Sequence, residues 1–127
     1  MTDSIEYIAE GQIFHGNVPH VMGTRLDVLM VGVSEEKAVA LWKGLCVRVN
    51  ALDAMLNRFD PGSEVSKMNA AEAPLKGRMS DEMSRIVTLA EEYRDRTCGL
   101  FDVVDAEGKL DFGGFAKGYF LKECGNM

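Results

Sequence analysis

The chain has 127 residues, 46% of them hydrophobic, with 20 acidic against 14 basic side chains and a formal charge of −6. That is apolar material enough for one soluble domain with a core. Without a clustered Lys/Arg face it excludes nucleic acid as a partner, and no apolar stretch approaches the roughly 20 residues of a membrane span. Met1-Thr2-Asp3-Ser4-Ile5-Glu6 lacks the basic and apolar regions of an export signal, so the sequence as given reads as cytoplasmic. In chain order, Ile5 to His15 alternates as a strand, Gly16 to His20 reads as a loop, and Arg25 to Val31 as a second strand, an antiparallel pair. Ser34 is the expected cap of a long helix, with Glu35 and Glu36 complementing its dipole. Its apolar stripe runs Ala38, Trp42, Leu45, Val49, Leu52, Leu56, Phe59 and ends at Asp60-Pro61-Gly62. Charge pairing at the flanking positions is too poor for a coiled coil, which leaves a helix laid across a sheet.

Ser63 to Asn69 reads as a short turn or helix with Ser63 as its cap, and Ala70 to Arg78 as a loop. Ser80 caps a further helix whose buried face is Met83, Ile86, Ala90 and Tyr93, with Gly99 at its end. Phe101 to Val104 and Lys109 to Phe112 read as short strands around an Asp105–Gly108 turn. The expected order is therefore ββααββ, followed by a helix opening at Ala116, an α+β chain.

Nucleophilic and zinc chemistry find little support. His15 and His20 have no Ser or Cys placed beside them, and Cys46, Cys98 and Cys124 show no ligand spacing; they fit a reducing compartment. Oxygen ligands are better represented. Asp111 precedes Gly113-Gly114, a side-chain-free corner whose backbone N–H groups suit a phosphate, with Lys117 beyond it. Asp102 and Asp111 at strand ends match a Mg²⁺–pyrophosphate site, and on spacing alone match ordinary turn or strand-end residues more readily.

The order of four segments is more specific than any one of them. Met22-Gly23-Thr24 comes first, then Arg58-Phe59-Asp60-Pro61-Gly62-Ser63-Glu64-Val65-Ser66-Lys67-Met68-Asn69. Thr97-Cys98-Gly99-Leu100-Phe101-Asp102 is third, and Leu110-Asp111-Phe112-Gly113-Gly114-Phe115-Ala116-Lys117-Gly118-Tyr119 comes last. Together they resemble the ApbE family, the FAD:protein FMN transferases once described as thiamine biosynthesis lipoproteins. The likeness spans about residues 20 to 121 and corresponds to the first half of a typical member. It implies that residues 1–127 form one domain, the N-terminal portion of a larger family fold related to the tunnelling fold, in which an antiparallel sheet carries two main helices on one face; the ββααββ order agrees with that.

It further implies FAD as substrate, Mg²⁺ on its pyrophosphate, and FMN transfer to a threonine of a client flavoprotein. Carried over by position, Met22 packs against the flavin and Phe59 lies near it. Leu100, Phe101 and Asp102 line the FAD site, Asp111 and Lys117 contact FAD, and the Gly114 carbonyl is a Mg²⁺ ligand. The departures are a missing lipobox cysteine, present in the many exported members, and the short nine-position interval between Asp102 and Asp111. The later His, Asp and Thr segments that complete the metal shell are also missing. The expectation is weakened FAD binding and poor or absent FMN transfer in this polypeptide alone. The alternative is a non-catalytic FAD-binding scaffold that needs a partner chain, and homo-oligomerisation is a natural way to cover bare sheet edges.

Overall fold

The computed structural model describes residues 3–72 and 78–126. Most of the expected Ala70–Arg78 loop lies outside the described residues. The class is α+β, in the order β1 (Ser4–Ile8), β2 (Ile13–Val21), β3 (Thr24–Val31), α1 (Glu35–Leu56), α2 (Glu64–Asn69), α3 (Asp81–Arg96) and α4 (Gly113–Cys124). Two compact units divide the chain, Met1–Asp53 with Phe120–Met127, and Ala54–Tyr119.

In the first unit β1, β2 and β3 form an antiparallel sheet with β2 in the middle. The expected strand from Ile5 to His15 is two strands, because the chain turns at Ala9–Gln12. Gly11 and Gln12 take φ of 85° and 50° there, and the Gln12 amide donates to the Ala9 carbonyl. The expected loop at Gly16 lies inside β2, where Gly16 pairs with Ile5 on one side and Val28 on the other. A single physical fact explains a glycine in mid-strand: a Cβ on Gly16 would stand 2.6 Å from the Trp42 ring. Phe14, Gly16 and Val18 alternate inward and are buried, and Phe14 meets Trp42 at 5.9 Å between ring centroids. The register shifts between Val18 and Val21, where Pro19 cannot donate to the ladder.

Helix α1 begins as expected: the Lys37 amide donates to Ser34 Oγ and the Ala38 amide to the Ser34 carbonyl. It stops at Leu56, short of the expected Asp60. The Asn57 side chain accepts the Phe59 amide at 3.0 Å, a local bond that competes with the helical one. Phe59 is accordingly 80% exposed and takes no part in the buried stripe. A half-buried Arg48–Glu123 pair, 2.6 Å from Nε to Oε2, ties α1 to the last turn of α4 within this unit.

In the second unit α2 and α3 carry the expected serine caps. The Ser63 hydroxyl accepts from the Ser66 amide and Ser80 from Met83. Met83, Ile86, Val87 and Ala90 are buried, while Tyr93, expected among them, is 38% exposed. The two strands expected at 101–104 and 109–112 reduce to one antiparallel bridge, Val104 to Leu110. The Asp105 carboxylate organises the turn between them by accepting the Glu107 and Lys109 amides, each at 2.9 Å. Helix α4 starts at Gly113, so the two glycines are its first residues and do not form a corner ahead of it.

Candidate functional site

Each recognised segment of the second unit has a definite local job. In Thr97–Asp102, α3 ends in a Schellman arrangement: the Cys98 amide reaches the Asp95 carbonyl and the Gly99 amide the Arg94 carbonyl. Cys98 takes φ 53° and Gly99 φ 83°. The Thr97 hydroxyl donates to the Tyr93 carbonyl and accepts the Phe101 amide at 2.9 Å, so threonine fixes where Phe101 leaves the helix. Leu100 is left 94% exposed at the tip. Asp102 closes an Asx turn by accepting the Val104 amide at 3.0 Å, and its other oxygen stands 3.4 Å from Arg94 Nε.

The segment 57–69 is a brace. The buried Ser63 hydroxyl donates to the Asn57 carbonyl at 2.6 Å. Glu64 reaches across to the start of α3, where its two oxygens accept the Ser80 amide and hydroxyl, both at 2.7 Å. At the far end of α2 the Asn69 carboxamide accepts the Leu110 amide at 2.8 Å and donates to the Leu110 carbonyl at 3.0 Å.

The segment 110–119 then builds the N-terminus of α4. Asp111 Oδ1 accepts the Gly113 amide at 2.9 Å, while Oδ2 lies 3.4 Å from Arg58 Nε. The Ala116 amide closes the first helical bond to Phe112. Among the described residues no acceptor meets the Gly114 and Phe115 amides, the two N–H groups that a helix start leaves open to an anion. Lys117, exposed, opens the second turn of the same helix. Arg58 connects this end to the flavin-side expectation, since its guanidinium lies 4.5 Å above the Phe59 ring.

Phe115 holds the two halves of the site together. Its ring meets Phe101 at 6.2 Å, Tyr93 at 6.3 Å, Phe112 at 6.2 Å and Tyr119 at 6.0 Å. Through Phe101 and Phe115 the Asp102 turn packs on the first turn of α4. Phe59, Leu100, Phe101, Asp102, Asp111, Gly114 and Lys117 therefore all fall in one unit. Met22 belongs to the first unit, at the tight turn between β2 and β3, with φ 53° and its amide donating to Asp53 at 3.2 Å.

Arg58, Arg94, Thr97 and Asn69 carry no role that the sequence alone assigns. Nothing local marks Arg94 as the partner of a carboxylate eight positions on, or Asn69 as the partner of a backbone 41 residues away. Arg58 was discoverable only as the neighbour of Phe59. An open depression along α3, lined by Ser84, Arg85, Thr88, Leu89 and Glu92, contains none of these residues.

Other charged groups lie elsewhere. On the outer sheet face Asp27 accepts from Arg25 (2.7 Å) and Asn17 (3.1 Å) and pairs with His15 at 2.8 Å, and the Arg25 and His15 bonds hold its carboxyl well below the usual range. Burial pushes the Cys46 and Cys124 thiols up. Among the described residues no three His, Cys, Asp or Glu side chains converge to hold a metal ion, and no helix is long and apolar enough to cross a membrane.

Neither the curated proteins nor the solved structures contain a match to this chain. The sequence profile of the ApbE family matches residues 22–107, a stretch that includes Met22, Phe59, Leu100, Phe101 and Asp102 and stops before Asp111. With about two thirds of its length matched and the intervening segments folded as described, the chain belongs to the ApbE family.

Proposed function

We propose that this chain binds FAD through its second unit and serves the transfer of FMN from FAD to a threonine of a client flavoprotein. The observation that carries this reading is the family match over residues 22–107, which contains both the Phe59 and the Asp102 segments. Three features of the unit support it. The α4 N-terminus offers two open amides, with Arg58 and Lys117 near that end as cations for a diphosphate. Phe59 and Leu100 are strongly exposed apolar side chains of the same unit, suited to cover a flavin ring. Asp102 is held by its own turn, ready to accept from the substrate's polar groups.

In the transfer a threonine hydroxyl attacks the FMN-side phosphorus, the P–O–P bond breaks, AMP leaves, and the hydroxyl proton passes to a base or solvent. This chain's residues would orient the diphosphate and neutralise charge on its oxygens. Magnesium enters only through the family, with the Gly114 carbonyl as its proposed contact here. The described carboxylates do not fit a metal shell, since Asp102 and Asp111 are each shared between an arginine and a backbone amide. That engagement favours a second reading, a chain that binds FAD and obtains its metal shell from a partner.

The test is titration of flavin fluorescence with the protein, with and without Mg²⁺, followed by mass measurement of a threonine-bearing client peptide. Saturable binding that Asp102→Ala weakens about tenfold or more, with the FMN mass increment on the peptide, is the expected result. Binding without the increment selects the scaffold reading. No binding under either condition overturns both.

A further inference from the structure

We infer that Asn69 is a positioning residue for the FAD site, acting through Leu110 on Asp111 and the first turn of α4. The inference rests on the proposed FAD site and names a residue outside it. The Val104–Leu110 bridge is flanked by two backbone bonds, Asp105 amide to Lys109 carbonyl at 2.8 Å and Asp111 amide to Val103 carbonyl at 2.7 Å. In an antiparallel pair of that kind the bridged residue turns its own N–H and C=O away from its partner. Leu110 is 1% exposed, so water does not reach those two groups. The Asn69 carboxamide meets both, as a further strand would, and the Asn69 carbonyl accepts Lys109 Nζ at 2.6 Å.

Residues 109–111 are thus held from two sides, by the Val103–Asp105 backbone and by Asn69. Directly beyond Leu110 lie the Asp111 carboxylate, shared between Arg58 and the Gly113 amide, and then the open amides of Gly114 and Phe115. A helix start aims its N–H groups only as well as the chain entering it is fixed. Without Asn69 that entry is held on one side alone.

The experiment compares FAD affinity, thermal midpoint and amide hydrogen exchange in wild type, Asn69→Ala, Asn69→Asp and Ser80→Ala. Asn69→Asp keeps the acceptor for the Leu110 amide and loses the donor to its carbonyl. Ser80→Ala removes the α3 cap and one of the two Glu64 bonds, and lowers stability while leaving the Asn69–Leu110 bonds in place. The expected result is a loss of FAD affinity of about tenfold in Asn69→Ala, a smaller loss in Asn69→Asp, and under about twofold in Ser80→Ala. Exchange at the hydrogen-bonded amides of Asp111, Gly113 and Ala116 rises in ligand-free Asn69→Ala and not in Ser80→Ala. Equal FAD affinity in wild type and both Asn69 variants overturns the inference and leaves the FAD site standing. So does an affinity loss in Ser80→Ala matching that of the Asn69 variants at equal thermal midpoint. Absence of FAD binding by wild type overturns the site and the inference together.

Discussion

Asp102, Asp105 and Asp111 each accept a backbone amide two residues ahead, and Asn57 and Asp60 do the same at the end of α1. Short polar side chains thus write the loops, which is why Asp, Asn and Gly crowd the recognised segments. Cys98 departs from that economy. It occupies the left-handed position closing α3, φ 53°, where glycine is the usual resident, and its side chain is exposed. An L-residue there costs about 1 kcal/mol or more against glycine, partly offset by the greater freedom glycine loses on folding. Cys98→Gly is therefore expected to raise stability by about 0.5 kcal/mol in urea unfolding, with an unchanged denaturant slope. A loss of stability would mean that the thiol makes contacts that the geometry does not record.

At the scale of elements, amphipathic periodicity and serine caps were legible: Ser34, Ser63 and Ser80 all sit where the sequence placed them, and each helix buries most of its expected stripe. Two of the misreadings come from a tertiary contact or a local side-chain bond that overrides the pattern. Gly16 followed by Asn17 and Pro19 looks like a loop until Trp42 is seen to need the space above β2. Phe59 continues the stripe of α1 until the Asn57 side chain diverts the backbone. Gly16→Ala tests the first of these. Alanine normally strengthens a strand relative to glycine by about 0.5–1 kcal/mol. Here its methyl would overlap a buried indole, and a cost of about 1–3 kcal/mol is expected. The double variant with Trp42→Leu should show a coupling of about 1 kcal/mol or more, because the smaller side chain frees the space. Simple additivity would show that Gly16 serves the strand for some other reason.

For the molecule as a whole, the sequence disclosed the family and the segments, and the fold disclosed what joins them. Arg58 between Phe59 and Asp111, and Phe115 among four other rings, are products of chain topology that no spacing rule announces. Global charge adds a constraint on how such a site works. A chain of net −6 would repel a dianionic dinucleotide at long range, while in the proposed site Arg58, Lys117 and the α4 amides would attract it at short range. The two effects separate by screening, since the Debye length falls from about 30 Å at 0.01 M salt to about 8 Å at 0.15 M. At low salt FAD meets the field of the whole molecule, and at physiological salt only that of the site. The association rate of FAD, measured by stopped-flow flavin fluorescence, should therefore rise by about two- to threefold across that range. A fall of tenfold would signify that the site's own cations govern approach from a distance, and would place more positive charge around α4 than Arg58 and Lys117 supply.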